Sequence, residues 1–274
     1  WAAGRPSSSS HALIGGLCGA ALAAARGNWE AIMWSAPADP WFKSGGVLWK
    51  VIVPMVTSPL LGFIVGFLIM GLLYAIISGM TASGGLFRRA AKPRHVNRFF
   101  KVAQMVSAGA MGFAHGTNDA QKTMGMIAIT LLGAQAAGTL DNLPGWLAFL
   151  HPTEHALATK DIDTWIKVAC ALVMAAGTAA RGGPIIKTLG PQPRELEPLN
   201  GFAAESSASA VILTASALGI PVSTTHNISA TIMGVGTAKQ SNAIRWTVVE
   251  RMVWAWILTI PAAGGIAWLA YEVM

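Results

Sequence analysis

The chain is poor in charged residues. Of its 274 residues only 19 are Lys or Arg and 12 are Asp or Glu, so 11% of the chain is charged, whereas ordinary soluble domains reach about 25%. Hydrophobic residues make up 53% of the chain, and its mean hydropathy is +0.52. These values exclude an ordinary soluble domain and predict an integral membrane protein built of helices.

Cysteines and metal-binding motifs are scarce as well. The two cysteines, Cys18 and Cys170, lie in apolar sequence, where they are typical of small buried side chains and indicate no redox compartment. No HExxH motif is present, and we therefore predict no resident metal or cofactor. One alternative function, a membrane-bound metal-dependent hydrolase, would draw on four residues: His11, His115, Asp119 and His226.

The few charges are clustered, and the stretches between them are apolar. A bilayer is crossed by about 20 apolar residues, and four stretches are candidates because each carries at most one charge: 47–78, 165–180, 202–220 and 252–270. A basic cluster near the loop 81–98 follows the positive-inside pattern and predicts a cytoplasmic loop. It consists of Arg88, Arg89, Lys92, Arg94, Arg98 and Lys101. The net charge of +7 thus reflects topology, and nothing in the sequence indicates nucleic-acid binding.

Several apolar segments are too short or too interrupted to be simple spans. Residues 7–25 and 222–237 predict half-helices that begin inside the membrane. Residues 99–113 and 123–137 predict two apolar segments separated by a break at Gly112 and Gly116. Residues 28–46, rich in Trp, Pro and Gly, predict a loop or an interfacial stretch, and residues 181–199 predict a basic loop rich in Pro and Gly. Short, interrupted segments at matching places in two halves are typical of a transporter binding site.

One six-residue phrase occurs twice. Pro6-Ser-Ser-Ser-Ser-His11 is matched 215 positions later by Pro221-Val-Ser-Thr-Thr-His226. Proline fits the first turn of a helix and hydroxyls can cap its free N–H groups. The same N–H groups and the positive end of the helix dipole favour an anion. Ordinary capping would explain one copy, but two copies predict a pair of helix tips around an oxyanion.

A second signature, Gly112 to Lys122, occurs once between the two copies. An ionisable residue within a membrane segment predicts function by default, and Asp119 could bind a cation, carry a proton or accept a hydrogen bond from a protonated substrate. Asn118 offers a donor and an acceptor. Lys122 lies one turn further on and could pair with Asp119 or attract an anion, and Gln121 is expected to be a supporting residue.

Three further residues have two interpretations each. His11 and His226 end the duplicated phrase and are interpreted as structural residues that hold the helix starts, with proton transfer as the alternative. Glu205 lies among small residues, and it is either a coupling carboxylate facing a cavity or a residue near the interface.

Together these motifs resemble the inorganic phosphate transporter family. Its pattern is a Gly-x-Asn-Asp segment in each half, followed by a Pro-x-Ser-Thr/Ser-Thr/Ser-His phrase. Gly116 to Asp119 and Pro221 to His226 match the second half, and Pro6 to His11 match the later phrase of the first half, with Ser7 in place of the usual Val. The chain begins with Trp1 and shows no signal peptide, and no Asn-Asp segment precedes Pro6. We therefore expect that the first spans of the first half are missing.

The resemblance implies an all-α, multi-pass protein of the bacterial plasma membrane, built from inverted repeats with re-entrant half-helices. It implies that residues 1–80 are the later part of the first repeat, 81–98 the basic loop and 99–274 the second repeat. The substrate would be inorganic phosphate, and the expected substrate-binding residues are Ser8, Ser9, Ser10, Asn118, Asp119, Ser223, Thr224 and Thr225.

The resemblance also bears on the ion that drives transport. The form of the signature from His115 to Lys122 is similar to that of bacterial low-affinity permeases, which implies proton-driven uptake of phosphate, free or as a neutral metal complex. Asn118, Asp119 and Glu205 are the candidates for the coupling-ion site. The alternatives are Na⁺-coupled phosphate transport, transport of another oxyanion such as sulfate, and an inactive fragment. The sequence leaves the number of subunits open, with a homodimer as the assembly considered.

Overall fold

The computed structural model describes residues 8–39, 44–83, 85, 89–159, 161–189, 197–220, 222–239 and 246–273. Pro6, Ser7 and Pro221 of the duplicated phrase and Arg88 of the basic cluster lie outside these ranges. Eight helices are found in the described part: α1 (Ser9–Ala24), α2 (Val53–Ala82), α3 (Pro93–Ala136), α4 (Glu154–Thr159), α5 (Thr164–Leu189), α6 (Pro198–Ala217), α7 (Thr224–Lys239) and α8 (Trp246–Val273).

Two 3₁₀ helices, Trp29–Ala31 and Gly145–Leu150, lie between these helices, together with turns, loops and one isolated β-bridge between Ala36 and Gly45. A π-helical turn, Leu48–Ile52, leads directly into α2. The predicted all-α fold is therefore confirmed. The predicted half-helices at 7–25 and 222–237 correspond to α1 and α7, which have 16 residues each.

Helix length and surface both suit a membrane. Among the described residues, the helical segment Leu48–Ala82 is the one long and apolar enough to cross a bilayer by length and composition, and shorter apolar helices occupy Ser9–Ala24, Thr164–Gly177 and Ile257–Val273. Large apolar side chains such as Leu68 (60% exposed) and Val173 (72% exposed) point outward. Soluble monomers rarely display such surfaces over whole helices, whereas lipid tails cover them without cost.

The predicted break at Gly112 and Gly116 is wrong. Helix α3 continues through the whole signature for 44 residues. Glycine permits an unwound backbone but costs a helix interior only about 1 kcal/mol, and α3 contains no proline after Pro93. The backbone at Gly112 and Gly116 is therefore helical.

Two predicted loops are shorter than expected. The loop 81–98 gives way to α3 at Pro93, where proline fits the first helical turn. The loop 181–199 begins as helix, because α5 continues to Leu189 despite Pro184. Proline and glycine are tolerated in such helices when neighbouring groups satisfy the backbone.

The chain divides into two compact units. The first comprises Trp1–His115 and Leu196–Met274, and the second comprises Gly116–Glu195. Within the first unit, α1 packs on α8, α7 packs on α2, and α6 packs against α2 and α7. The helix that follows the first copy of the phrase thus lies against the last helix of the chain, and the helix that follows the second copy lies against α2.

Glycines make both of these crossings close. An added Cβ at Gly19 would collide with the carbonyl oxygen of Gly264 in α8, and one at Gly234 would collide with the carbonyl oxygen of Phe63 in α2. Gly19 and Gly234 are separated by 215 positions, the same offset as the duplicated phrase. Small residues let backbones approach in this way in membrane helix pairs, so the duplication extends from the phrase into the packing of its helices.

Candidate substrate site

Both copies of the phrase form the same local hydrogen bond. Ser8 is the N-cap of α1 and its Oγ accepts from the backbone N–H of His11 at 3.4 Å. Ser223 precedes the first residue of α7, and its Oγ accepts from the backbone N–H of His226 at 3.4 Å. Both serines are buried, at 3% and 2% exposure. A capping hydroxyl keeps its own proton for a further acceptor, so each helix start presents a hydroxyl donor.

The two helix starts meet through their histidines. The ring centroids of His11 and His226 lie 5.5 Å apart at an interplanar angle of 37°. Both side chains are buried. The structure therefore brings together, within one compact unit, the two copies that the sequence separates by 215 positions.

The remaining hydroxyls of the phrase differ in burial. Ser10 and Thr224 are buried, Thr225 is half-buried and Ser9 is exposed. The first turns of α1 and α7 thus hold several hydroxyl groups beside backbone N–H groups that lack intrahelical partners. No acidic residue lies in the first turn of either helix. The local field therefore favours an anion.

Sequence reasoning missed a buried polar pair directly after the second phrase. Asn227 and Thr231 are both fully buried, and the Thr231 hydroxyl lies 3.2 Å from Asn227 Oδ1 and 2.9 Å from the Asn227 carbonyl oxygen. An added Cβ at Gly62 of α2 would come within 2.7 Å of Asn227 Oδ1. The position of Asn227 next to His226 was a signal from which a functional role could have been predicted. The burial of Asn227, however, depends on Gly62 of another helix.

The Asn-Asp signature forms a cluster in the second compact unit. Lys122 Nζ lies 3.3 Å from Asp119 Oδ1, and Asn118 Nδ2 donates to the same oxygen at 3.5 Å. Asn118 is 2% exposed, and Asp119 and Lys122 are half-buried. The predicted pairing of Lys122 with Asp119 is thus present, which gives the cluster one carboxylate, one ammonium and one amide. Gln121 is exposed, as is His115 at the edge of the first unit.

Glu205 has a partner that sequence reasoning also missed. Ser107 of α3 donates its hydroxyl to Glu205 Oε2 at 2.5 Å, across 98 positions of the sequence. Ser107 is 4% exposed and Glu205 is half-buried. Glu205 thus has a hydroxyl partner on a neighbouring helix. Ser107 belongs to no motif, so nothing in the sequence alone could have identified it.

The residues considered for a metal-dependent hydrolase do not form a metal site in the described part of the chain, where no three His, Cys, Asp or Glu side chains come together suitably. The first unit holds neutral donors at two helix starts and the Glu205 carboxylate. The second unit holds the Asp119 carboxylate beside Lys122. Helix starts of this kind suit an oxyanion, and a carboxylate suits a positive ion.

Comparison with known proteins gives a consistent picture. Residues 1–267 match the family model described as "Phosphate transporter family". Relatives named "Probable low-affinity inorganic phosphate transporter" include one from Mycobacterium tuberculosis H37Rv, 38% identical over 99% of this chain and 55% of its own length. Another, from Bacillus subtilis 168, is 34% identical over 100% of this chain and 69% of its own length.

A solved structure named "The sodium-dependent phosphate transporter" superposes with a TM-score of 0.69, covering 99% of this chain and 74% of that chain, at 21% identity. This likeness supports the fold. The chain spans about half the length of the mycobacterial relatives that it matches.

Proposed function

This chain belongs to the phosphate transporter family, and we propose that the protein carries inorganic phosphate across a bacterial plasma membrane by secondary active transport. The names of the family and of the relatives point to a transporter and not to an enzyme. The bacterial relatives support the plasma membrane as its location, and the outward-facing apolar helices of the first unit support a position within the bilayer.

The observation that carries the proposal is the meeting of the two helix starts. Ser8 and Ser223 cap their helices identically, and the rings of His11 and His226 lie 5.5 Å apart. An anion held there would receive hydrogen bonds from neutral hydroxyl and N–H groups, which replace its hydration shell without a permanent ion pair. Such donors bind an anion firmly enough for selection and loosely enough for release.

We propose two groups of substrate-binding residues. The hydroxyls of the two helix starts are Ser8, Ser9, Ser10, Ser223, Thr224 and Thr225, and the residues of the signature are Asn118 and Asp119. Asp119 favours phosphate over sulfate. Phosphate at neutral pH still carries a proton and can donate it in a hydrogen bond to a carboxylate, whereas sulfate has none to donate. Lys122 offsets the charge of Asp119 at 3.3 Å, so that an anion is not repelled by an uncompensated carboxylate.

We propose that protons drive the transport. The candidates for the coupling group are Asp119, with Asn118 beside it, and Glu205. Each carboxylate accepts a hydrogen bond from a neighbouring neutral side chain, which suits a group that changes its protonation state. The division into a first repeat (1–80), a basic cytoplasmic loop (81–98) and a second repeat (99–274) is proposed as well, and the matched packing of α1 and α7 supports it.

Uptake of labelled phosphate tests the proposal. The protein would be expressed from its full gene in cells that lack other phosphate carriers. Thr224→Ala removes one buried hydroxyl of a helix start, and Asp119→Asn removes the acceptor charge. Each should reduce uptake at least tenfold, since a lost hydrogen bond to a charged ligand is worth about 1.5–3 kcal/mol.

Thr237→Ala is the matched control, because Thr237 lies at the far end of α7 and donates to the carbonyl of Met233. It should leave uptake unchanged. Normal uptake by both site variants, with wild-type amounts of protein in the membrane, would refute the site. Excess sulfate should not compete, and collapse of the pH gradient with and without Na⁺ identifies the coupling ion.

A further inference from the structure

The hydrogen bond between α3 and α6 joins a buried hydroxyl to the carboxylate of Glu205. Ser107 Oγ lies 2.5 Å from Glu205 Oε2 and 3.0 Å from the backbone carbonyl oxygen of Gln104. A serine hydroxyl has one proton, so it can donate to only one of these two acceptors at a time. We infer that Ser107, Glu205 and the Gln104 carbonyl form the proton-binding site that couples transport, an inference that rests on the proposed function.

The three groups accommodate both protonation states of Glu205. When the carboxylate is ionised, the Ser107 hydroxyl donates to Oε2 in a short, charge-assisted hydrogen bond. When a proton binds Oε2, the new O–H donates to Ser107 Oγ, and the Ser107 hydroxyl turns to the Gln104 carbonyl. One O–H bond forms at Glu205, no other covalent bond changes, and each donor retains an acceptor. Ser107 is therefore a positioning residue for a group that loads and unloads protons.

The contacts of the carboxylate suit a proton better than a metal cation. Among the described side chains, Ser107 is the one recorded as bonding to the Glu205 carboxylate. Ca²⁺ takes about six to eight oxygen ligands and Mg²⁺ about six, whereas a proton needs one donor and one acceptor.

Other titratable groups on the elements that pack around α6 belong to different clusters. Lys239 of α7 pairs with Glu197 at 3.0 Å, and Tyr74 of α2 lies in the field of that pair. His226 of α7 lies against His11. On α3, Lys101 and His115 are exposed and lie six and eight residues from Ser107, which corresponds to about 9 and 12 Å along the helix. The pH response of this site should therefore be governed by Glu205.

The test measures the pH dependence of phosphate accumulation in vesicles that contain the full-length protein. Ser107→Ala removes the hydrogen bond to ionised Glu205, which is the stronger one. The variant should therefore hold more of its Glu205 in the protonated form at a given pH. The pH of half-maximal accumulation on the alkaline side should move upward by about one unit. Ser107→Thr retains the hydroxyl and should restore the wild-type profile.

Ser209→Ala is the matched control. Ser209 is buried in the same helix as Glu205, but its hydroxyl donates to the Glu205 backbone carbonyl at 2.6 Å and not to the carboxylate. It should leave the midpoint unchanged. A Ser107→Ala profile that superposes on the wild type, or an equal shift in Ser209→Ala, would overturn the inference.

Glu205→Gln provides a second, independent readout. It should abolish accumulation driven by a pH gradient while labelled phosphate still exchanges across the membrane against unlabelled phosphate. Gradient-driven accumulation by this variant would overturn this inference but not the proposed function. Failure of the wild-type protein to exchange phosphate would instead overturn the proposed function, and this inference with it.

Discussion

The crossing of α1 and α8 makes a quantitative prediction for Gly15. An added Cβ at this position would lie 2.5 Å from the carbonyl oxygen and 3.0 Å from the Cα of Ile260. Both are backbone atoms, so no side-chain rotation can relieve the collision and the two helices must separate. Gly16, the next residue of the same helix, has open space, since its nearest contact is the Ala267 Cβ at 4.0 Å.

The comparison of Gly15→Ala with Gly16→Ala isolates the collision. Both substitutions gain up to about 1 kcal/mol of helix propensity, and this gain cancels between them. Overpacking a close contact costs about 1–3 kcal/mol, so Gly15→Ala should be the less stable variant by that amount. With about 2–4 °C per kcal/mol for a chain of this size, its melting temperature should lie several degrees lower.

The assay is the fraction of folded protein after heating in detergent, followed by size-exclusion chromatography with a fluorescent tag. Gly66→Ala and Gly71→Ala in α2 repeat the comparison at the other crossing, since a Cβ at Gly66 would lie 2.7 Å from the Thr231 carbonyl oxygen and one at Gly71 meets nothing within 4 Å. Equal melting temperatures for Gly15→Ala and Gly16→Ala would refute the close approach of α1 and α8.

Two further predictions concern local hydrogen bonds. Ser8→Ala and Ser223→Ala should each lower stability by about 0.5–2 kcal/mol through loss of a cap, and their effects should be similar because both caps measure 3.4 Å. A large loss in one variant and none in the other, by the same melting assay, would contradict the equivalence. Thr153→Val should lower the free energy of unfolding by about 1–3 kcal/mol, because the Thr153 hydroxyl donates to the buried Asp163 carboxylate at 2.5 Å. Its control is Thr159→Val, at an exposed position, which should melt like the wild type.

Features encoded locally could be predicted from the sequence. The starts of α1 and α7 were predicted because a hydroxyl cap acts within three residues of its own helix, as the bonds of Ser8 and Ser223 confirm. The pairing of Asp119 with Lys122 was predictable for the same reason, since residues three apart share a helix face. The apolar stretch 47–78 could be predicted as a span because its length and composition are enough to identify one. It corresponds to the helical segment Leu48–Ala82.

Features that depend on distant contacts or on small energy differences could not be predicted. The continuity of α3 through Gly112 and Gly116 was missed because two glycines lower helix stability without forbidding a helix. The bond from Ser107 to Glu205 joins positions 98 residues apart. The burial of Asn227 depends on Gly62, a residue of another helix that lies far away in the sequence.

The packing of α1 and α7 bears on how the two helix starts are held together. Each of these helices has 16 residues, about 24 Å at 1.5 Å per residue, and so falls short of a hydrocarbon core of about 30 Å. A short helix cannot fix its own depth by length alone, and here α8 holds α1 while α2 holds α7. Helices α1 and α2 are neighbours in sequence, and so are α7 and α8. The second helix of each pair packs on the first helix of the other pair, α8 on α1 and α2 on α7. Separating the pairs would therefore remove the support of both helix starts at once, and these are the helix starts that hold the rings of His11 and His226 at 5.5 Å.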